Sequence, residues 1–256
     1  MADVRAYRQT IPTIALLIAI FGVWECLTTL LRVPTYLVPA PSLVLARWIS
    51  DFRFFLIEGG VTLLEALAGL LLGAGVALLA ALLMSRWRWI ERAFLPIAIV
   101  AKVTPVVIVA PLFALWFGFG PLPRVLIAAL LTFFPVLIGA VSGLRAAPRA
   151  ARDVFATLNA TPYEDAFMLR LPYALPQLFA AVKVSSTLAL LGAAIAEWVS
   201  GDRGLGRAVL LANSNLDTPG ALAGVATIGV LGIALIGLIT LLERRVLFWA
   251  GDEVAR

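Results

Sequence analysis

Long apolar stretches, separated by short polar segments, run through most of the chain. About six of them approach the twenty or so residues that a helix needs to cross a bilayer core. They lie at about residues 11–31, 60–84, 94–117, 124–144, 175–199 and 221–242. Because a helix satisfies its own backbone hydrogen bonds in lipid, this pattern predicts an all-α polytopic membrane protein.

The segment between the fourth and fifth predicted spans departs from this pattern. Residues 144–176 contain arginines and acids at short intervals. Their pattern predicts two helices of about ten residues each, roughly 15 Å long and too short to cross a membrane. Pro148 suits the first turn of the first helix, since its missing N–H has no partner there anyway. Asn159 suits the position just after that helix, because asparagine tolerates a left-handed backbone.

The second short helix is predicted from its capping signals. Thr161, Pro162 and Glu164 have the spacing of a capping box, in which threonine and glutamate side chains each bond to the other residue's backbone N–H. The helix is predicted to end near Arg170, because Pro172 disfavours its continuation. We expect the two helices to meet at a joint and to present apolar side chains to another protein.

Composition supports the membrane class and excludes several chemistries. The 256 residues are 62% hydrophobic and 14% charged, whereas a soluble domain carries about 25% charged residues. The chain has no histidine, which removes the commonest proton-transfer group and metal ligand. Its single cysteine, Cys26, permits no disulfide within the chain. Since there is also no phosphate-binding loop of the form G-x-x-x-x-G-K-[ST], we expect a non-enzymatic chain without metal or cofactor, which does not itself hydrolyse ATP.

Basic residues near the span ends predict the orientation, since the cytoplasmic ends of membrane helices are richer in arginine and lysine. Most of the flanking arginines fall on the side of the N-terminus, among them Arg5, Arg86, Arg149 and Arg244. We expect both termini and residues 144–176 to be cytoplasmic, in a multi-pass protein of the cell (inner) membrane. The net charge of +5 follows this distribution, and no nucleic-acid partner is expected.

Ionisable side chains within the apolar spans are candidate pathway residues, because burying a charge in lipid is costly. They are Glu25, Glu65, Lys102 and Glu197, with Lys183 near the inner end of the fifth span. Glu65 and Lys102 differ in predicted depth by about 10 Å, which argues against a direct ion pair. The three glutamates fall towards the outer side, which predicts an acidic outer half. The alternative for each is a contact within the helices or a side chain that reaches the interface.

Prolines and aromatic residues mark the third predicted span as the one most suited to line a pathway. Pro96, Pro105 and Pro111 interrupt its hydrogen bonds, and freed carbonyl groups are tolerated beside protein or a water-filled cavity. Phe113 and Trp116 lie near its outer end, where an interfacial aromatic belt is the alternative explanation. The candidate pathway residues are Glu65, Lys102, Pro105, Phe113, Trp116 and Glu197.

Glycines spaced four residues apart indicate where membrane helices approach closely. Gly69 and Gly73 form one such pair in the second span, and Gly139 and Gly143 form another in the fourth. We expect packing contacts at both pairs, the alternative being the general frequency of glycine in membrane helices.

The segment from Asp153 to Pro172 resembles the signature loop of the membrane subunits of ABC importers, the binding-protein-dependent permeases. That loop reads Glu-Ala-Ala, three residues, Gly, nine residues, Ile, one residue, Leu-Pro, and every spacing is kept here. Asp153-Val154-Phe155 stands in place of Glu-Ala-Ala. Asn159, which tolerates the left-handed conformation of glycine, stands in place of Gly. The stretches K-V-T-P-V-V-I-V-A-P-L-F-A-L-W-F-G-F-G and A-E-W-V-S-G-D-R-G-L-G are similar to the nitrate/sulfonate/taurine-type subfamily.

The resemblance implies a type I ABC importer permease fold with a cytoplasmic coupling-helix pair. It implies that two such subunits, a homodimer, form a pathway in membrane lipid and bind an ATP-binding ABC subunit and a periplasmic or lipoprotein substrate-binding protein. We expect an N-terminal span and periplasmic segment at 1–58 and a permease core at 59–256, with the coupling segment at about 145–175. The coupling residues that it implies are Asp153, Asn159, Ala160, Thr161, Tyr163, Leu171 and Pro172.

The substrates of that subfamily include nitrate, sulfonates, taurine and flat vitamin-related molecules such as riboflavin and thiamine pyrimidine precursors. An acidic outer half with aromatic side chains suits a small anion poorly. We therefore expect an aromatic heterocyclic vitamin or precursor, with a sulfonate- or nitrate-type anion as the alternative. A rival class is a secondary, ion-coupled transporter in which Glu65 and Lys102 carry protons. Such a transporter has no need of the spacing at 145–175, and a purely structural membrane protein would leave the proline-rich third span unexplained.

Overall fold

The computed structural model describes residues 2–87, 89–90, 92–94, 96 and 105–249. The regular structure in this part of the chain is helical throughout, which confirms the predicted all-α class. The helices are α1 Ala2–Leu30, α2 Pro41–Ser50, α3 Phe52–Arg86, α4 Val106–Phe117, α5 Pro121–Leu144, α6 Arg149–Thr157, α7 Pro162–Glu164, α8 Leu171–Ser200, α9 Leu205–Ser214 and α10 Thr218–Val246, with a π-helical turn at Asp165–Arg170 between α7 and α8.

Four helical bodies are long and apolar enough to cross a membrane. They are α3, α5, the continuous stretch Pro162–Ser200 and α10, and they contain the second, fourth, fifth and sixth predicted spans. Shorter apolar helices, Ile14–Leu30 and α4, lie in the first and third predicted spans. The prediction of a polytopic membrane protein with about six apolar helices is thereby confirmed.

The second short helix does not end near Arg170, as its sequence predicts, but continues through Pro172 into α8. Just before the proline the backbone widens into the π-helical turn, where the N–H of Leu171 donates to the carbonyl of Ala166, five residues earlier. Pro172 has no N–H and so donates no backbone hydrogen bond. Because it lies where π-helical hydrogen bonding gives way to α-helical hydrogen bonding, the helix continues past it. The prediction was wrong because it allowed α-helical bonding only. The result is a 39-residue helical body, Pro162–Ser200.

The chain forms two compact units. The first comprises Met1–Ile57 and Ala208–Thr227, and the second comprises Glu58–Arg207 and Ile228–Arg256. The predicted division into a segment at 1–58 and a core at 59–256 stays a prediction.

Glu25, one of the ionisable residues of the first predicted span, has a structural contact within the first unit. Its carboxylate accepts hydrogen bonds from the backbone N–H of Ser42, at 2.9 Å, and from the Ser42 hydroxyl, at 2.6 Å. Ser42 lies in the first turn of α2, whose N–H groups have no partner within the helix. Glu25 therefore serves as a cap that α1 supplies to α2.

Close helix packing in the second unit occurs at both predicted glycine pairs, which confirms those contacts. A Cβ atom added at Gly69 would overlap the Cβ atom of Ala128, and Gly73 is equally close to α5. Gly139 and Gly143 allow α5 to approach α8 in the same way. The core of this unit therefore lies where α3, α5 and α8 meet.

An ion pair joins α8 to α10 in the same unit. Lys183 Nζ lies 2.5 Å from Glu243 Oε2, and the Glu243 side chain is buried. Each charge thus has its partner within the protein, as required of ionisable groups in apolar surroundings. Lys183 therefore has a structural contact between two helices, which neither of the stated alternatives described.

Candidate functional site

A tight joint connects α6 to α7 in the polar segment. Asn159 has a φ angle of 52°, which confirms the predicted left-handed residue. Its N–H donates to the carbonyl of Ala156 at 3.1 Å, and the N–H of Ala160 donates to the carbonyl of Phe155 at 3.0 Å. These two bonds form a Schellman motif, which satisfies carbonyl groups that the end of α6 leaves without partners.

The predicted capping box begins α7, on the other side of the joint. The backbone N–H of Thr161 donates to Glu164 Oε2 at 2.7 Å, and the N–H of Glu164 donates to Thr161 Oγ1 at 3.3 Å. Pro162 occupies the first turn, where its missing N–H costs no hydrogen bond. Local hydrogen bonds on both sides therefore determine how α6 and α7 meet.

Apolar side chains around the joint are exposed instead of packing within the protein. Val154 on α6, Leu158 just after it, Tyr163 on α7 and Met168 in the π-helical turn are each more than half exposed. The ring of Tyr163 lies against that of Phe167, with 4.6 Å between the centroids. A contiguous exposed apolar surface of this kind marks an interaction site.

Most of the residues predicted to couple this chain to an ATPase lie at the joint. Those at or beside it are Asp153, Asn159, Ala160, Thr161 and Tyr163. Leu171 and Pro172 lie further along, half-buried, where α8 begins. The structure therefore separates the Leu-Pro pair from the joint by the π-helical turn, and the coupling role of all seven stays a prediction.

A second group of polar side chains, the Arg124 cluster, comprises Glu65, Arg124, Glu197 and Asp202. Arg124 Nη1 donates to Glu65 Oε1 and Nη2 donates to Asp202 Oδ1, each at 2.7 Å. Arg124 and Glu65 are buried, whereas the Asp202 side chain is 78% exposed. The hydrogen bond from Arg124 holds the pKa of Asp202 below its ordinary range. Arg124 thereby joins α5, α3 and the loop before α9.

Glu197, at the end of α8, caps the first turn of α9. The N–H of Gly206 donates to Glu197 Oε2 at 2.6 Å. The two preceding N–H groups donate to Glu58 Oε2 at 2.6 Å and to Thr62 Oγ1 at 2.8 Å, both on α3. These N–H groups have no partner within α9, and the positive end of a helix favours carboxylates. The fully buried Glu197 therefore has a defined structural role.

The glycines of the 201–206 loop make these caps possible. Gly204 has a φ angle of 104°, and a Cβ atom added there would overlap the carboxylate of Glu197. A Cβ atom at Gly206 would overlap the carbonyl oxygen of Ala194. The backbone N–H groups of the stretch G-D-R-G-L-G thus lie close to side chains of α3 and α8. Glycine is required there because a larger residue would not fit.

We expect Gly204→Ala to destabilise the protein more than Gly118→Ala does. Both glycines have positive φ angles, but nothing lies within 4 Å of a Cβ atom at Gly118. Backbone strain costs about 1–3 kcal/mol at either position. Only the substitution at Gly204 also displaces the Glu197 cap, which adds about 0.5–2 kcal/mol. Thermal unfolding of the purified variants measures the difference, and equal losses would contradict the capping role of Glu197.

Two candidate pathway residues, Glu65 and Glu197, are brought close to Arg124, which forms a hydrogen bond to the first of them. The predicted acidic outer half stays a prediction; the structure adds that the buried Arg124 offsets the charge of Glu65, while Glu197 and Asp202 lie in the same cluster. Arg124 was not predicted from the sequence to be this partner. The available signal was its position at the start of the fourth predicted span, the same end of the bundle as Glu65. Lys102 lies outside the described residues.

The aromatic pathway candidates occupy different surroundings on α4, which Pro105 precedes as the helix cap. Phe113 packs against the buried Ile127 and Ala196, from α5 and α8. Trp116, with its ring centroid 6.0 Å from that of Phe113, is largely exposed. Phe113 is therefore half-buried against α5 and α8, while Trp116 is available to lipid or to a ligand.

Comparison with known proteins decides the family. Residues 69–248 match the model of the binding-protein-dependent transport system inner membrane component. The chain belongs to this family. It is thus an ABC importer permease, a non-enzymatic membrane subunit, and not the ion-coupled secondary transporter considered as the rival class. The family implies two kinds of partner, an ATPase and a substrate-binding protein.

Three relatives extend over nearly the whole permease. The riboflavin transport system permease protein RibX of Chloroflexus aurantiacus is 34% identical, over 93% of this chain and 89% of the relative. The formylaminopyrimidine transport permease protein ThiX of Halalkalibacterium halodurans is 32% identical, over 96% and 98%. The putative aliphatic sulfonates transport permease protein SsuC of Bacillus subtilis is 28% identical, over 90% and 84%. These similarities match the subfamily that the sequence motifs resemble.

Proposed function

We propose that this permease imports a small aromatic heterocyclic vitamin or a precursor of one. The observation that carries the proposal is the higher identity to the relatives named for riboflavin and formylaminopyrimidine transport than to the one named for aliphatic sulfonates. The Arg124 cluster supports it, because both terminal nitrogens of this buried arginine are bonded to carboxylates of the chain itself. Arg124 is therefore not arranged to bind a sulfonate.

We further propose that the joint docks on the ATPase subunit and that movement there is passed to the pathway. The exposed apolar side chains around Asn159 provide the docking surface. The helical body Pro162–Ser200 begins at the joint and carries Glu197 near its other end. At 1.5 Å per residue this body spans about 58 Å. ATP-driven displacement of Tyr163 would therefore move the residue that caps α9, through one continuous helix.

The proposed coupling residues are Asp153, Asn159, Ala160, Thr161, Tyr163, Leu171 and Pro172. The proposed pathway residues are Glu65, Lys102, Pro105, Phe113, Trp116 and Glu197. Within the pathway, Trp116 is exposed enough to contact a flat ring. Glu65 and Glu197, being buried around Arg124, would act on the substrate by holding α3, α5 and α8 in position.

The basic residues at the span ends support the proposed orientation, and membership of the permease family supports the proposed homodimer. Two copies of the chain form a homodimer in the cell (inner) membrane, with both termini and the joint in the cytoplasm. Lipid surrounds the apolar helices, and the chain binds no cofactor of its own, since ATP is bound by the partner ATPase.

Uptake measurements with reconstituted importer test the proposed substrate class. The permease is placed in proteoliposomes with its ATPase and its substrate-binding protein, and labelled riboflavin, an aminopyrimidine and taurine are compared. We expect ATP-dependent uptake of one ring compound to exceed that of taurine by about tenfold or more, because sites select strongly between ligands of different polarity. Liposomes without ATP are the control. Preferred uptake of taurine would overturn the assignment.

A further inference from the structure

An apolar groove of about 490 Å³ lies between the end of α3 and the beginning of the helical body Pro162–Ser200. The side chains that form most of its wall are leucine and aromatic, namely Leu79, Leu82, Leu83, Trp87, Tyr163 and Phe167. Along α3, Leu79 lies about 12 Å from Trp87. The groove therefore extends from apolar residues of a membrane-spanning helix to tryptophan and tyrosine, which are typical of the membrane–water interface.

A more polar cavity of about 390 Å³ adjoins the groove. The two share the lining residues Ser85, Arg86, Pro162, Asp165 and Arg170. The polar cavity adds Arg152 from α6, and a third cavity, of about 410 Å³, is lined by Arg145 together with Arg152 and Arg170. An apolar groove thus opens directly into a basic cavity beside the joint.

Positive charge in the polar cavity exceeds negative charge among the described residues that line it. Asp165 is the one acid there, and it pairs with Arg170 at 2.6 Å. The Nε–H of Arg170 is nevertheless buried without a hydrogen-bond partner. Arg86 lies over the ring of Trp87, 5.8 Å from its centroid, and neither Arg86 nor Arg152 forms an ion pair with a described residue. The cavity therefore suits an anionic group.

We propose that this composite site binds an anionic phospholipid of the cytoplasmic leaflet. The phosphate lies between Arg86, Arg152 and Arg170, and one acyl chain lies in the groove along α3. Basic pockets at the cytoplasmic ends of membrane helices bind anionic headgroups in this way. The proposal rests on the cytoplasmic orientation given under the proposed function.

Two observations favour a lipid over a segment of the ATPase as the occupant. The groove reaches Leu79 and Leu82 in the apolar part of α3, and Leu79 is 63% exposed. The excess of arginine in the adjoining cavity complements a phosphate attached to an apolar chain. A cytosolic protein would have to place apolar side chains at membrane depth to fill the same space.

Native mass spectrometry of the purified full chain, which measures lipid binding directly, tests the proposal. Phosphatidylglycerol and phosphatidylcholine with the same dioleoyl chains are compared in detergent. We expect tighter binding of phosphatidylglycerol, and Arg86→Gln and Arg152→Gln to weaken it about fivefold each, with phosphatidylcholine binding unchanged. Arg245→Gln, which removes an exposed arginine at the end of α10, is the matched control and should leave the preference intact.

A second pair of variants tests whether the apolar groove contributes to lipid binding independently of the arginines. Leu83→Ser is expected to weaken binding of both lipids without changing the preference, whereas Leu71→Ser, at an exposed position of α3 outside the groove, should have no effect. Equal binding of the two lipids, or an equal loss in Arg245→Gln, would overturn the proposal. So would displacement of phosphatidylglycerol by equimolar inorganic phosphate. Since no substrate or ATP is present, these failures are distinguishable from failure of the transport assay.

Discussion

Replacing Arg124 by glutamine is expected to destabilise the permease by about 3–5 kcal/mol. The substitution leaves the Glu65 carboxylate buried without the guanidinium that lies 2.7 Å away. A buried charge without its partner retains the cost of leaving water and loses the attraction that offsets it. The tie between α5 and the loop before α9 is lost as well, because Arg124 also bonds to Asp202. Chemical or thermal unfolding of the purified variant measures the loss.

Two further variants distinguish the contribution to stability of the buried Arg124–Glu65 pair from that of the exposed Arg124–Asp202 pair. Asp202→Asn should have a much smaller effect, because the Asp202 side chain is 78% exposed and water replaces the lost contact. The double variant Glu65→Gln with Arg124→Gln should recover much of the stability, since neither buried charge then remains. A wild-type melting curve for Arg124→Gln alone, or no recovery in the double variant, would show that the pair does not stabilise the fold.

Replacing Asn159 by proline is expected to abolish coupled uptake while the protein still inserts in the membrane. Asn159 has a φ angle of 52°, whereas the proline ring holds φ near −65°. The substitution also removes the N–H that donates to the carbonyl of Ala156. A cost of about 3 kcal/mol at the joint shifts the population of the native joint by more than about tenfold, so coupled uptake should fall at least as far. ATP hydrolysis and uptake are measured together in proteoliposomes.

Glycine at the same position is the matched control for the joint. Asn159→Gly keeps both the left-handed conformation and the backbone N–H, and glycine is the most frequent residue at this position of a helix end. We expect it to retain coupled uptake and to be as stable as the wild type or slightly more stable. Intact coupled uptake with Asn159→Pro would show that the joint is unimportant, and equal loss with Asn159→Gly would show that the asparagine side chain itself is required.

The joint could be predicted from sequence because its geometry depends on neighbouring residues only. Asn159 and the Thr161–Glu164 capping box act through hydrogen bonds that close within five residues. The apolar spans could be predicted for the same reason, because the length and composition of each segment are sufficient to identify it. The error at Pro172 is also local, but it depends on a π-helical turn, and π-helical bonding is too rare to be expected from a sequence.

Only some members of the Arg124 cluster could be predicted from the sequence, because the residues that bond to each other there are not neighbours in the chain. Glu65 and Glu197 were recognised as buried acids from their places in apolar spans. Their partners are Arg124, 59 residues from Glu65, and the N–H of Gly206 in the first turn of α9, nine residues from Glu197. The packing of α3, α5 and α8 determines which of the flanking arginines is buried. The pattern of apolar and polar residues does not predict that packing.

By itself the sequence determined the membrane class, the family, the polar segment and the conformation of its joint, since each depends on composition or on short-range spacing. The tertiary structure decided that the second short helix and the fifth span are one body, that Arg124 neutralises Glu65, and that Glu197 caps α9. It also decided that an apolar groove opens into an arginine-lined cavity beside the joint. The physical reason is common to all three long-range features: buried charges and cavities depend on which helix faces meet, and packing selects those faces.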